Sequence, residues 1–551
     1  MECVVSAVVE KRLGALPVAA EFLRRLDVAG TVDRLCPGRD IAHLTHGHQV
    51  IETLVANRLT ARAPLWRVDD WAREWAVEEV FGIEPELLND DRLGRALDAI
   101  APHLTELTDS IGACAIGEFG IDVSRCHWDM TSMSLHGAYP ADEQDEDYPR
   151  IRHGHPKDRR YDLKQIQTGL AVTGDGGIPL LSRVIDGGAA EISQITGTMN
   201  ALRAMAGPKE FLLVADSKLV SYRNVTALIE AGCDFIAPAP ASAVDDAVYA
   251  ALDLDAATVV DYVPARDENT PAERRETYRV LEDTHVLSGQ RRRDAQVEVR
   301  RILVHSTGNA KGQQRAREKR LAKAREELDK LQRGAGGRYY NTPEKIAQRI
   351  GVIATTRRVS SCLHTEITTD DTGRPTLDWH FDQDVLQAEA AVDGWYALLT
   401  TLTPEQADAA EVLRRHKGQQ GTVERRYGDF KGPLAVTPVF VQDNKRVAAL
   451  VAVICLALLV FCLIERQVRR ALGGDQKMPG LYPGNQLVRP TGRMILYHLS
   501  GLRLRVGHAT DPPTIVISRG VQLHLLDLLG LEPTHPRWPE TVTERPTWPV
   551  W

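Results

Sequence analysis

The chain has 551 residues, 43% of them hydrophobic and 26% charged, which is too long for one core and excludes a disordered or fibrous protein. Its formal net charge of −8 excludes a globally basic nucleic-acid coat, so any surface for a polyanion must be local. Eight scattered cysteines without a C-x-x-C pair argue against a zinc ribbon or a disulfide framework and fit buried thiols in a reducing cytosol.

The opening "MECVVSAVVEKRLG" lacks a basic stretch followed by a long apolar one, so export is not expected. Residues 1–115 read as a helical domain. Apolar residues recur at helical spacing in "LPVAAEFLRRLDVAGTVDRLCP", "HQVIETLVANRLT" and "DRLGRALDAIAPHLTELTDSI". His43, His46 and His48 in "HLTHGH" have no matching Cys or acidic partner, and no metal site is read there.

From Ile121 the period changes to that of strands. "CHWDMTSMSL" carries Asp129 within a β pattern, and a buried carboxylate there requires a counter-ion or a metal. "KQIQTGLAVT", the turn "GDGG" and "IPLLSRVIDG" follow as a hairpin. No Lys-Ser/Thr follows the turn, so it is not a phosphate loop. A helix in "ISQITGTMNALRAM", a short apolar strand "EFLLVADSKL" ending at Asp216, a helix in "SYRNVTALIEAG" and a strand in "CDFIAPAP" complete a β-β-β-α-β-α-β order. In that order the fourth strand is expected beside the first, which would bring Asp129 and Asp216 together.

Residues 241–390 contain short strand-like pieces and one very polar helix at 311–333, rich in Lys and Arg. "DGWYALLTT" returns to a core strand. Two helices follow: "TPEQADAAEVLRRHKG", with Thr403 as N-cap and Pro404 in its first turn, and "QGTVERRYGDFKGP", which carries Glu424. After the strand-like "LAVTPVFV", Val447–Ile464 is an unbroken run of 18 apolar residues, at the lower edge of a membrane span. It is read as a helix buried on all sides, since nothing else in the chain has a membrane pattern. Residues 476–551 read as a Pro- and Gly-rich C-terminal appendage with a loose tip.

Three acids suit hard-cation chemistry: Asp129, Asp216 and Glu424. Two carboxylates held close repel each other unless a divalent ion lies between them, and oxygen donors of this kind select Mg2+ or Mn2+. A third acid would allow two ions, the arrangement that clamps both oxygens of an in-line phosphoryl displacement. Each acid alone is weak evidence, because an Asp at a strand end is usually a turn or helix cap.

In combination and in order, "HWDMTSMSLHG", "FLLVADSKLVSYRNV" and "VERRYGDFKGPLAVTPVFV" resemble the DDE (RNase H-like) transposases of bacterial insertion sequences, within the IS-four-like superfamily. "ANRLTARAPLWRVDDWA", "LLNDDRLGRALDAI", "HPKDRRYDLKQIQTGLAV" and "DGWYALLTT" resemble the branch with a helical N-terminal domain and an insertion before the catalytic Glu. The similarity spans residues 15–500. It implies an α/β fold whose RNase H-like core, a mixed five-stranded sheet with helices, is interrupted by an α+β insertion and preceded by an all-α domain. The implied segments are 1–115 for DNA-end binding, 116–240 and 391–475 for the core, 241–390 for the insertion, and 476–551 for the appendage.

The resemblance further implies metal-dependent DNA strand cleavage and strand transfer. Asp129, Asp216 and Glu424 would be the catalytic and metal-binding residues, with two Mg2+ or Mn2+ ions. Lys431 matches the family's E-x6-K, and Lys417 and Arg425 join it as expected DNA contacts, with Lys319, Arg320, Lys323 and Arg325 of the basic helix. The family places a Tyr seven and an Arg four residues before the Glu, where this chain has Lys417 and Gln420. A weakly active or inactive relative that only binds DNA is therefore a second reading. The expected partners are double-stranded DNA, both transposon ends and target, and a second copy in the DNA complex. No membrane is expected, and the place is the bacterial cytoplasm, at the nucleoid.

Overall fold

The structure is a computed structural model and describes residues 9–37, 50–189, 194–207, 211–264, 267, 270–434, 439–474, 476–506 and 513–531. The histidines of "HLTHGH", much of "LAVTPVFV" and the C-terminal tip lie outside these residues. The protein is mixed α/β and divides into two compact units. The first takes residues 1–216, 230–233 and 419–551; the second takes 217–229 and 234–418.

The first unit opens with strand β1 (Val9–Arg12), then helices α1 (Leu16–Arg25), α2 (Val28–Leu35), α3 (Glu52–Thr60), α4 (Val68–Glu74), α5 (Val77–Phe81), α6 (Asp90–Ile100) and α7 (Leu104–Phe119). Asn89 caps α6 by accepting a hydrogen bond from the Arg92 amide at 3.1 Å. Gly120, at φ +55°, ends α7 in the left-handed conformation.

Strands β2 (Arg125–Leu135), β3 (Lys164–Thr173) and β4 (Pro179–Ile185) then form an antiparallel meander, with Asp129 opposite Leu170. The "GDGG" turn joins β3 to β4, and Gly176 and Gly177 both have positive φ there. Helix α8 (Ile195–Ala206) leads to β5 (Leu212–Val214), which pairs with β2 in parallel. The sheet order in this unit is β4-β3-β2-β5, with the fourth strand beside the first as the sequence pattern requires.

The second unit contains α9 (Tyr222–Glu230), β6 (Asp234–Pro238), α10 (Asp246–Ala250), β7 (Thr258–Val260), β8 (Tyr278–Leu287) and β9 (Val297–Ser306). After these come α11 (Thr307–Gly334), α12 (Pro343–Arg357), β10 (Leu363–Thr369), β11 (Pro375–Phe381), α13 (Gln383–Ala391) and β12 (Trp395–Thr400). Its main sheet runs β6-β12-β9-β8-β7, with every pair antiparallel.

That sheet departs from the expected partition. Strands β7, β8 and β9 of the 241–390 segment share one sheet with β6 and β12, the strands assigned to the core. Strand β12, paired with β6 on one side, pairs with β9 on the other along all six of its residues, so these strands of the 241–390 segment continue the sheet. The β10–β11 hairpin makes a separate core. It packs on Ala324, Leu328 and Leu331 of α11 and on Ile346, Ile350 and Ile353 of α12, both sets at helical spacing.

Helix α14 (Ala409–Lys431) is one continuous helix where the sequence suggested two. Asp408, not Thr403, caps it: its carboxylate accepts from the Glu411 amide at 2.6 Å, while residues 404–406 form a turn. Back in the first unit, α15 (Asn444–Ala471) carries the apolar run and is capped by Asp443. Every residue from Val447 to Ile464 is buried. The helix packs against α1, α3, α6, α7 and β4, which explains why it has no polar stripe.

The C-terminal segment is more integrated than an appendage. Helices α16 (Gly492–Leu499) and α17 (Gly520–Leu528) lie against α15, and β13 (Arg503–Val506) pairs with both β14 (Thr514–Val516) and β1. The N-terminal region is therefore not purely helical: "VEKR" completes a sheet with residues almost 500 positions away.

Candidate active site

The parallel pairing of β2 with β5 matches His127 to Val214. Asp129 and Asp216 each stand two residues beyond that last pair, Asp129 still on β2 and Asp216 just past the end of β5. Strand β5 stops at Val214, whereas β2 runs on to Leu135. The far half of β2 thus keeps β3 on one side and has a strand edge open on the other. Gly169 of β3, opposite Met130, makes room on the sheet for the buried Trp128 indole, since a Cβ at Gly169 would fall 2.1 Å from that ring.

Two lysines cap the open edge. Met130 and Ser132 are two apart and direct their carbonyls the same way. The Lys157 ammonium donates to the Met130 carbonyl and to the Asp129 carboxylate, the latter at 3.3 Å. The Lys157 amide donates to the Ser132 hydroxyl at 2.9 Å. The Lys431 ammonium donates to the Ser132 carbonyl, also at 2.9 Å. Burial, and after it the neighbouring Lys157 ammonium, holds the Lys431 amine below its ordinary value, with Asp158 and Asp129 pulling the other way. Asp129 is half-buried on a strand, and its counter-ion here is Lys157.

Helix α14, which carries Glu424, contacts the same strand. Three residues beyond it, the Tyr427 hydroxyl donates to the Asp129 carbonyl and lies 3.2 Å from that of Thr168. Lys431 follows one turn later. Glu424 itself is exposed. The donor chemistry of Asp129, Asp216 and Glu424 fits Mg2+ or Mn2+, which bind through one or two carboxylates and keep several waters. Among the described residues, however, no three His, Cys, Asp or Glu side chains are gathered as a complete metal cluster.

Behind the helix lies a buried ion cluster. Glu465 of α15 is 1% exposed and accepts from Arg425, from Arg426 at 2.9 Å, from Arg469 at 2.9 Å and from the Gly492 amide at 2.8 Å. Burial raises the Glu465 carboxyl, but Arg426, Arg469 and Arg425 outweigh it and hold it below its ordinary value. Arg426, fully buried, also donates to the carbonyls of Gly176 and Gly177. The "GDGG" turn is thus the socket that fixes α14 on the sheet.

Some expected DNA contacts have other commitments. Arg425 is tied to Glu465, since a buried carboxylate draws the nearest cations. Lys417 places its ammonium 5.3 Å from the Tyr278 ring and 5.4 Å from the Tyr396 ring, a cation–π contact within the second unit. The side chain of Gln420 lies outside those described. In the basic helix α11, Arg320 pairs with Glu389, and Arg317 pairs with Asp393 at 2.9 Å. Lys319, Lys323 and Arg325 are exposed and, among the described residues, form no ion pair. Lys319 and Lys323 line a cleft of about 600 Å3 with Arg317, Arg320, Arg357 and Arg358.

Sequence reasoning missed Lys157, Tyr427 and Arg426 as site residues. The signal was present in "HPKD" and "ERRYGD", but only the fold shows which of these polar residues turns toward β2.

Residues 8–112 match a family model described as a domain of unknown function, DUF4277. No curated protein matches the chain. Among solved structures, it is similar to a piggyBac transposase synaptic complex with hairpin DNA, at 6% identity and a TM-score of 0.37, over 87% of this chain and 79% of that one. A likeness at that level fixes no residue correspondence.

Proposed function

We propose that the protein is a DDE transposase of the RNase H-like kind, cutting and rejoining DNA at the ends of an insertion sequence. What supports this reading is the parallel β2–β5 register, which, carried two residues past the end of β5, leads Asp216 toward the level of Asp129, together with the Tyr427 hydrogen bond from the Glu424-bearing helix to the Asp129 carbonyl. The strand order β4-β3-β2-β5 and the ordered sequence motifs support it. Asp129, Asp216 and Glu424 would hold Mg2+ or Mn2+, two ions when the site is complete.

Ions held there would supply an activated water and charge neutralisation for a phosphodiester under in-line attack. The protein's own residues position the reactants. Lys431, its ammonium held at the strand edge, places a positive charge beside Asp129 where a backbone phosphate would lie. The β2–β3 pair and the Arg426 socket keep the acid-bearing elements fixed, and catalysis is then mainly orientation and charge neutralisation. The exposed Lys319, Lys323 and Arg325 give the duplex a second hold, independent of sequence. Joining two ends calls for two copies of the chain in the DNA complex, acting at the nucleoid in the bacterial cytoplasm.

The second reading, a DNA-binding relative with weak or no cleavage, is favoured by the commitment of Lys417 to Tyr278 and Tyr396. The test that separates them is cleavage of a duplex carrying the element's inverted-repeat end, with and without Mg2+. Metal-dependent release of a 3′-OH at the end supports the active enzyme; binding without nicking supports the relative.

A further inference from the structure

The described side chains leave Asp129 with a cation of the protein's own. Lys157 comes from the long connection between β2 and β3. Its backbone amide is fixed to the Ser132 hydroxyl, and the adjacent Asp158 accepts from the Ser134 hydroxyl at 3.0 Å. Two consecutive residues of the connection are thus buttoned onto two serines of the same strand. This docking delivers the Lys157 ammonium to the carboxylate of Asp129, while its side chain remains 49% exposed. A half-exposed lysine has solvent to retreat into, so it can leave without unravelling the strand.

We propose that Lys157 is a positioning residue that holds the Asp129 carboxylate until a divalent cation and a DNA phosphate replace it, so that DNA and metal load together. This rests on the reading of Asp129 as a metal ligand. A carboxylate oxygen engaged by an ammonium is a poorer ligand, because the incoming cation must break that contact and meets a like charge. An arriving phosphate gives Lys157 a new partner and leaves Asp129 to the cation. The two binding events are then coupled, and the coupling is reciprocal.

The experiment is a Mn2+ titration of the DNA-free full chain, followed by the electron paramagnetic resonance signal of free Mn2+. It compares wild type, Lys157→Met, Lys157→Arg and Asp129→Asn. Methionine keeps the apolar stem and removes the charge, and equal far-UV circular dichroism and melting midpoints establish that each variant is folded. The expected result is Mn2+ affinity about tenfold higher in Lys157→Met, unchanged in Lys157→Arg, and lost in Asp129→Asn. If Asp129→Asn loses Mn2+ binding but Lys157→Met binds no more tightly than wild type, or Lys157→Arg gains as much as Lys157→Met, Lys157 does not guard the carboxylate and the inference is overturned. If Asp129→Asn binds Mn2+ like wild type, the metal-site reading itself falls.

Discussion

The Tyr427 hydroxyl donates its hydrogen bond to the backbone carbonyl of Asp129, one helical turn from Glu424. A side chain of α14 therefore measures the position of the strand that carries the first acid. Tyr427→Phe keeps the ring in its buried place and removes only the donor, at about 1 kcal/mol of stability. The misplacement matters more for chemistry, where ångström-scale shifts cost up to about a hundredfold. We expect end cleavage in Tyr427→Phe to fall roughly tenfold or more, with DNA affinity unchanged. Wild-type rates in this variant would show that the hydrogen bond does not align Glu424.

The acids themselves give the broader test. Asp129→Ala, Asp216→Ala and Glu424→Ala should each abolish strand cleavage, by several orders of magnitude in rate, while retardation of end DNA in a gel persists. Carboxylates that hold metal ions do not hold bases, so binding and cutting separate. Substantial cutting by any one variant removes that residue from the catalytic set.

Much of this arrangement was legible in the chain. The alternation around Asp129, the "GDGG" hairpin and the continuous apolar strand before Asp216 specify neighbouring strands by short-range chemistry, and Val447–Ile464 could only be buried or in lipid. What was not legible depends on partners distant in sequence. "VEKR" pairs with residues 503–506 although its own burial pattern is that of a surface segment. Arg425 and Lys417 look like phosphate contacts until Glu465 and the Tyr278 and Tyr396 rings are seen beside them. The cap of α14 was misplaced because Thr403-Pro404 and Asp408 both carry start signals, and only the backbone shows that the first makes a turn.

The buried Glu465 offers a stability test in the first unit. Its carboxylate is shared by Arg425, Arg426 and Arg469, so its removal leaves Arg426 and Arg469 buried without their common anion. Breaking such a cluster from one side costs about 3–5 kcal/mol. Glu465→Gln should lower the urea midpoint accordingly, and the loss should exceed that of Asp98→Asn, whose partner Arg446 is 40% exposed. Equal losses would mean that the arginines find water when Glu465 is gone.

Acid sensitivity should come partly from the second unit. His416 is buried, its Nδ1 has no hydrogen-bond partner among the described residues, and burial, with the nearby Lys417 charge, pushes its pKa down to about 4. An unfolded histidine titrates near 6.5. Below that value the unfolded chain takes up a proton that the folded chain refuses, so stability falls as pH drops from about 6.5 toward 4 and is complete above that range. The span corresponds to about 3 kcal/mol at most. His416→Leu should flatten the pH dependence of the melting midpoint between pH 4 and 6.5. A slope unchanged by this substitution would assign the acid response to other groups.

The last prediction separates cations that build the second unit from cations that face outward. Arg317 and Arg320 are spent on Asp393 and Glu389, which tie α11 to α13 and the approach to β12. Lys319 and Lys323, on the same helix and lining the same cleft, have no such partner among the described residues. Each phosphate neutralised by a protein cation releases a counter-ion from duplex DNA, and the slope of log affinity against log salt changes by about 0.9 for each one lost. Lys319→Gln with Lys323→Gln should therefore flatten the slope by roughly 2 and leave the melting midpoint in place. Arg317→Gln with Arg320→Gln should do the reverse, lowering the midpoint with a smaller change in slope. Fluorescence anisotropy of a labelled duplex across a salt series, beside thermal melts of the same variants, reads both quantities. A slope that stays at the wild-type value in the double lysine variant would make α11 a solvated face with no part in holding DNA.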